Sequence, residues 1–406
     1  MAAPTLEVVF AFDADAGGET NFFTLDDPVA GVLDNTEFTL GGEFSLVDVT
    51  QYVRNVTVSR GRSRIVDKVQ SGSSTILLDN RARLFDPTAG TAVSPYAASI
   101  VPRKNVSVRV NDEPVFTGLV DDWNLSFPAN HDYTTEAQCG DGFLSLAQVT
   151  VGTATQSAEL SSARVASVLT DAQWPSTKRN IDTGEVSLQA DTPSEGTNVV
   201  DYLARVSDTE FGAFFMSRDG DATFKNRVAV QQFTDPVLIG GTGIPFESVE
   251  VDYGSEQLYN SVELTRTNGG TATATDSTSQ TTYGVNEFTR SGLLFDDDTE
   301  LQDLADYLLS LYKDPVLRIE QVSIVLDGLT VEQQRTVAGL DITDPIEVTF
   351  SPTVGPSITQ YATVDKIEFN LNPSRSTVKL SVSTAQAAFI LDSTAFGVLD
   401  TDTLGF

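Results

Sequence analysis

Few residues of this chain could do acid–base or nucleophilic chemistry. His131 is the single histidine and Cys139 the single cysteine in 406 residues. A Ser-His-Asp or Cys-His centre needs a histidine held against its nucleophile. His131 stands in Pro128-Ala-Asn-His-Asp-Tyr133, a turn-forming stretch, and its spacing of eight residues from Cys139 matches no nucleophile signature. One His and one Cys cannot supply the nitrogen and sulfur ligands of a zinc centre. Paired carboxylates could serve glycoside hydrolysis, but among 57 Asp and Glu a pair carries no information. Gly240-Gly-Thr-Gly243 lacks the Lys-Ser/Thr of a phosphate loop and reads as a turn. The expectation is no catalytic residue, no cofactor and no metal.

Two other residue sets have the composition of contact surfaces. Arg54, Arg60, Arg62, Arg64, Arg81 and Arg83 place six of the 25 basic residues within thirty positions. They could form a basic patch for nucleic acid or sugar. The favoured expectation is that they pair with acids of a neighbouring subunit, because Arg makes bidentate carboxylate contacts. Ring formation would then weaken at high salt. The second set is a repeated segment. Phe23-Thr-Leu-Asp-Asp-Pro-Val-Ala-Gly-Val-Leu-Asp34 and Phe389-Ile-Leu-Asp-Ser-Thr-Ala-Phe-Gly-Val-Leu-Asp400 agree at seven of twelve positions. Either these are two similar apolar turns, or they are docking peptides for equivalent pockets, with Phe23, Leu25, Leu33, Phe389, Leu391, Phe396 and Leu399 as contact residues.

The charge balance narrows the partners. With 25 Lys and Arg against 57 Asp and Glu the formal net charge is −32. A free nucleic-acid binder needs the opposite sign, and docking on an anionic membrane surface is disfavoured. A single cysteine allows no intrachain disulfide, which suits assembly in a reducing cytoplasm. No run of about 18 apolar residues predicts a membrane-spanning helix, and the opening Met1-Ala-Ala-Pro-Thr-Leu6 is not expected to be a signal peptide.

The elements that must position these residues read as mainly β with a small α/β part. Residues 1–42 form an acidic arm without Lys or Arg, holding a strand at Leu6–Phe12. Residues 43–150 predict a first β-domain: Val56 and Val58 alternate with Asn55, Thr57 and Ser59, the period of a half-buried strand. Further strands are expected at 74–78, 105–110, 114–120 and 133–139, with turns between them that suggest a barrel or sandwich. Residues 151–245 predict a small α/β domain. Its first helix is capped by Ser161 or Ser162 and stopped by Pro175; its second starts near Thr197. A hairpin turns at Asp219-Gly220. Residues 246–385 predict a second β-domain with one helix, whose face is Leu301, Leu304, Ala305, Leu308, Leu311 and Tyr312, and a mobile loop at 267–282. Residues 386–406 are a docking tail. An exposed aromatic platform for host glycans would have to draw on Trp123, Trp174 and the Tyr residues, and both Trp sit in structural contexts.

Several segments carry a resemblance. Tyr52-Val-Arg-Asn-Val-Thr-Val-Ser-Arg-Gly-Arg62, Gly72-Ser-Ser-Thr-Ile-Leu-Leu-Asp-Asn-Arg81, Leu84-Phe-Asp-Pro87 and Ser94-Pro-Tyr96 are the most specific. Val115-Phe-Thr-Gly-Leu-Val-Asp-Asp-Trp123, Cys139-Gly-Asp-Gly-Phe-Leu144, Val200-Asp-Tyr-Leu-Ala204, Phe215-Met-Ser-Arg-Asp-Gly220 and Phe396-Gly-Val-Leu-Asp400 continue it. Together they resemble the minor tail proteins of long-tailed phages infecting actinobacteria. That resemblance implies a baseplate-hub-like architecture of two tube-like β-barrel or sandwich domains and a smaller α/β domain. It implies a homotrimer forming a pseudo-sixfold ring that joins a sixfold tail tube to a threefold tip. The role implied is structural, in the virion's tail tip after assembly in the host cytoplasm. Distal tail, tape measure and other minor tail proteins would be its neighbours, and DNA would be met only in transit. Two alternatives stay open: a hexameric distal-tail ring protein and a host-glycan-binding tail module. The acidic arm is longer than the resemblance leads one to expect, which leaves open the ring that the chain occupies. The acids themselves either line a lumen through which DNA slides or keep a β-rich protein soluble.

Overall fold

The computed structural model describes residues 3–13, 44–64, 66–231, 235–255 and 257–384. The apolar segments at 23–34 and 389–400, and with them Phe23, Leu25, Leu33, Phe389, Leu391, Phe396 and Leu399, lie outside the described residues.

Among the described residues thirteen strands make one sheet. Its path runs through Ser248–Asp252, Arg318–Val325, Arg375–Thr384, Ile358–Asn372, Val53–Gly61, Gln70–Asp79, Thr134–Gly140, Glu113–Ser126, Asn105–Val110, Leu6–Asp13 and Phe44–Asp48. Pro345–Phe350 pairs with the first half of Ile358–Asn372, and Val237–Gly240 pairs with Pro345–Phe350. The protein is therefore mainly β, as the strand periods predict. Alternation sets which face is buried: Val56 and Val58 on one strand, and Ile367, Phe369 and Leu371 on its neighbour, point inward while Thr57 and Asn370 do not. One continuous apolar core runs under both halves, from Phe10, Val56, Ile76 and Phe116 to Val322, Ile346, Ile367 and Leu380, all fully buried. Each such side chain contributes about 1.5–3 kcal/mol by leaving water.

A second core belongs to the α/β part. Helix Ser161–Asp171 buries Val165, Val168 and Leu169, and helix Val199–Glu210 buries Tyr202, Leu203 and Val206. Strands Ala213–Met216 and Ala222–Lys225 form the hairpin expected at Asp219-Gly220, where Gly220 takes φ +81°. Helix Asp298–Tyr312 turns Leu301, Leu304, Ala305, Leu308 and Tyr312 into this same core. The 258–312 stretch thus packs with the α/β part, although the chain returns to the large sheet on either side of it.

Four local expectations are corrected. Residues 267–282 do not form an open loop: strand Thr271–Thr275 buries Ala272 and Ala274, and Asp276 caps helix Ser277–Tyr283 by accepting from the backbone N–H of Thr278 and Ser279. Small alternating residues suffice there because helix Asp298–Tyr312 lies against the strand. The 246–385 region holds more than one helix. Besides Ser277–Tyr283 and Asp298–Tyr312 there is Val331–Ala338, begun by a capping box of Thr330 and Gln333. Neither Ser161 nor Ser162 caps the first helix; Leu160 stands at that position, and the Ser161 hydroxyl donates to buried Glu210 instead. The Ile358–Asn372 strand, not among the predicted elements, is the longest in the sheet.

Candidate functional site

The two halves of the large sheet are built alike. In the first half, Gln70–Asp79, Thr134–Gly140, Glu113–Ser126 and Asn105–Val110 lie in that order, each antiparallel to the next. In the second, Arg318–Val325, Arg375–Thr384, Ile358–Asn372 and Pro345–Phe350 repeat the order and the directions. The likeness extends to irregularities. The long strand of each half carries a bulge at an aspartate: pairing skips Asp121 between Val120 and Asp122, and skips Asp365 between Val364 and Lys366. In the first half Arg103 N–H donates to the Val120 carbonyl and Val120 N–H to the Lys104 carbonyl; in the second Thr343 donates to Val364 and Val364 to Asp344. Arg103 and Thr343 even share a positive φ, 71° and 75°, which non-glycine residues rarely adopt. Two units of one topology therefore stand in tandem.

One edge joins them. Beyond its bulge, Ile358–Asn372 pairs antiparallel with Val53–Gly61, placing Ile367 opposite Arg60, Phe369 opposite Val58 and Leu371 opposite Val56. Gly61 lets the strands meet: a Cβ there would lie 2.1 Å from the Asp365 carbonyl oxygen. Arg62 N–H donates to that carbonyl at 2.9 Å, and Arg62 Nε to the Asp365 carboxylate at 3.2 Å. Ser383 Oγ donates to the other carboxylate oxygen. Burial raises the Asp365 pKa, and the Arg62 charge opposes that shift.

The structure divides the arginine cluster. Arg60 and Arg62 are 2% and 5% exposed, so neither can offer its guanidinium to another chain. Arg60 Nη1 binds Asp341 at 2.7 Å and is close to the Met216 carbonyl. Asp341 also accepts from Arg218 N–H, and Arg218 Nη1 reaches Glu113 at 2.9 Å. This network ties both β-units to the α/β part. It departs from the expectation of neighbour-facing arginines, because the sheet junction covers these positions. The other four are partly exposed but also hold acids of their own chain. Arg54 grips Asp132 with two bonds of 2.6 and 3.0 Å, Arg81 binds Asp79, Arg83 Nε donates to Asp86 at 2.7 Å, and Arg64 lies 3.5 Å from Asp67. The Arg81 hydrogen bond pulls the Asp79 carboxyl down to about 2, against the cost of its partial burial.

The residues that could have done chemistry sit apart. His131 takes φ 61° in its turn, and its Nδ1 shares a 2.7 Å hydrogen bond with the Tyr133 hydroxyl two residues further along the chain. Cys139 is buried in the sheet, which pushes its thiol pKa up. Gly240 and Gly241 have positive φ and form the expected turn. Trp123 donates its indole N–H to the Val101 carbonyl and packs on Phe10; Trp174 donates to the Lys178 carbonyl. No group of three His, Cys, Asp or Glu suited to a metal occurs among the described residues, and none of their helices is long and apolar enough to cross a membrane.

No protein-family model matches the chain, and no curated protein matches it in sequence. Solved structures do match. The 43 kDa tail protein of prophage MuSo2 from Shewanella oneidensis is similar at a TM-score of 0.56 and 14% identity, over 84% of this chain and 94% of that one. A tail protein from Neisseria meningitidis MC58 is similar at 0.56 and 10% identity over the same shares. At such identities the likeness is one of architecture: this chain has the fold of those tail proteins.

Proposed function

We propose that the chain is a structural subunit of a phage tail tip, forming a homotrimeric ring between the tail tube and the tip. The observation that carries this reading is the tandem repeat. A subunit with two units of one topology, joined edge to edge, gives six similar units when three copies close a ring. Such a ring can face a sixfold tube on one side and a threefold tip on the other. The tail-protein fold and the sequence resemblance support the same reading. The formal charge of −32 suits a channel through which DNA passes without being held. Distal tail, tape measure and other minor tail proteins are the proposed neighbours. The partly exposed Arg54, Arg64, Arg81 and Arg83, and the apolar segments at 23–34 and 389–400, are the proposed contacts to them. The proposed role calls on no catalytic residue.

Imaging isolated tails with the chain labelled tests the proposal. Label at the tail tip, in three copies per particle, is the expected result. Label absent from the particle overturns the structural role. Six copies in one ring would instead favour a distal-tail ring protein.

A further inference from the structure

The internal junction is one closed example of a contact that each chain leaves open at two other places. Beyond the bulge at Asp121, no described strand pairs the edge of Glu113–Ser126 that corresponds to the Ile358–Asn372 edge occupied by Val53–Gly61. Among the described strands Ser248–Asp252, which corresponds to Val53–Gly61, ends the sheet and pairs only with Arg318–Val325. Burial records the difference. Ile367 and Phe369 are buried where Trp123 and Leu125 are half-buried, and Asp365 is buried where Asp121 is exposed. Val56 and Val58 are buried where Val249 is half-buried and Val251 is 37% exposed.

We infer that the Asp121–Phe127 edge of one copy pairs antiparallel with the Ser248–Gly254 edge of a second copy, in the register of the internal junction. This rests on the ring reading above and gives its interface. The register follows from the repeat. Thr57 corresponds to Glu250 through the shared partners Thr75 and Gln321, and Asn370 corresponds to Ser126 through Thr377 and Thr134. Asn370 lies opposite Thr57 in the internal junction, so Ser126 lies opposite Glu250 in the external one. One residue to either side, Leu125 lies opposite Val251 and Phe127 opposite Val249; three residues along, Trp123 lies opposite Tyr253. All six side chains are apolar or aromatic. Phe127 and Tyr253, each one residue beyond its strand, are 50% and 67% exposed in the single chain, whereas most large apolar residues of the sheet are buried. Gly254 falls where Gly61 admits the neighbouring strand. The contact is head-to-tail, so it propagates from copy to copy and can close a ring. An unpaired strand edge is otherwise a site of uncontrolled pairing.

Both edges also carry acids, Asp121 and Asp122 on one and Glu250 and Asp252 on the other. Like charges across a strand pair oppose it. Pairing should therefore strengthen as salt is raised from about 0.01 M to about 0.15 M, where the Debye length falls from about 30 Å to about 8 Å.

The test is disulfide trapping in the full chain. Cα atoms directly opposite in an antiparallel pair lie about 4.5–5.5 Å apart, within the reach of a disulfide. Ser126→Cys chain is mixed with Glu250→Cys chain carrying a mass tag, then oxidised. The expected product is the heterodimer, with little homodimer of either variant and a yield that rises with salt. The double variant should give covalent oligomers up to a closed ring. Thr57→Cys with Asn370→Cys, across the internal junction, should close within the chain and leave its mass monomeric, which shows that the register supports the bond. Asn124→Cys with Glu250→Cys, two residues out of register, should react poorly. Homodimers as abundant as heterodimers, or no covalent product at any salt when the internal pair does close, overturns the inference. If trapping fails while labelled tails still show three copies in a ring, the ring stands and this interface falls. If trapping succeeds while tails lack the chain, the interface stands and the tail role falls.

Discussion

Arg60 sits where three parts of the molecule meet, with Asp341 from the second β-unit and the Met216 carbonyl from the α/β part. Removing one partner of a buried ion pair leaves the other charge uncompensated, at a cost of about 3–5 kcal/mol. Arg60→Ala should therefore lower the denaturation midpoint sharply, whereas Arg81→Ala, on an exposed pair with Asp79, should leave it nearly unchanged; chemical denaturation of both variants decides. Asp141 offers a pH test. Burial pushes its carboxyl up to about 6 from 3.8, although it accepts from Gly72 N–H at 2.6 Å, Phe143 N–H at 2.9 Å and Ser71 Oγ at 3.0 Å. Between those two pH values the folded chain holds a proton that the unfolded chain has lost. Stability should accordingly fall as pH rises from about 4 to about 6, by on the order of 3 kcal/mol from this group. Asp141→Asn should flatten that slope, measured by denaturation at successive pH values; an unchanged slope would assign it to other groups. Nothing in the spacing of the arginines reveals which are buried. Arg60 and Arg62 look like their neighbours in sequence, and they are covered by the pairing of Val53–Gly61 with a strand some three hundred residues away and, for Arg60, by the α/β part.

At the scale of elements, strands whose alternation is strong were legible: Asn105–Val110 has the predicted limits, and Val53–Gly61 contains the alternation read over residues 55–59. Ile358–Asn372 carried a readable signal in Ile367, Phe369 and Leu371, at period two. Thr271–Thr275 did not, because Thr and Ala alternate without a large apolar side chain, and burial there is supplied by a helix further along the chain. The contact between units makes its own prediction. Gly61 holds φ +115° with no room for a Cβ beside Asp365. Gly61→Ala should destabilise the chain by about 1–3 kcal/mol through backbone strain alone and should loosen the contact between the two β-units. Hydrogen exchange at Ile367 to Leu371 checks this, with faster exchange expected in the variant. For the apolar segments, deleting residues 386–406 should leave the melting transition of the body intact while impairing tail assembly. A truncated chain that assembles normally would remove the docking role from the second segment.

At the scale of the whole molecule, the sequence resemblance anticipated two β-domains and an α/β part, but the residues themselves do not show the repeat. Its equivalences are pairs such as Trp123 and Ile367, or Arg103 and Thr343, which share a place in the register and a backbone conformation and little else. Nor could spacing show that the 258–312 stretch leaves the second unit to pack with the α/β part. The salt dependence expected from neighbour-facing arginines changes sign with the structure. Their acids are found within the chain, and the open edges carry Asp121, Asp122, Glu250 and Asp252. Assembly is therefore expected to strengthen with salt, a trend that sedimentation of the full chain can follow. We propose that the tandem β-units make this chain a ring subunit of a tail. A density map of the isolated tail tip tests it most directly. Three copies around the axis are expected, their six β-units arranged with near-sixfold symmetry; a map in which the chain is absent, or lies off the axis without contact between its copies, would overturn the proposed role.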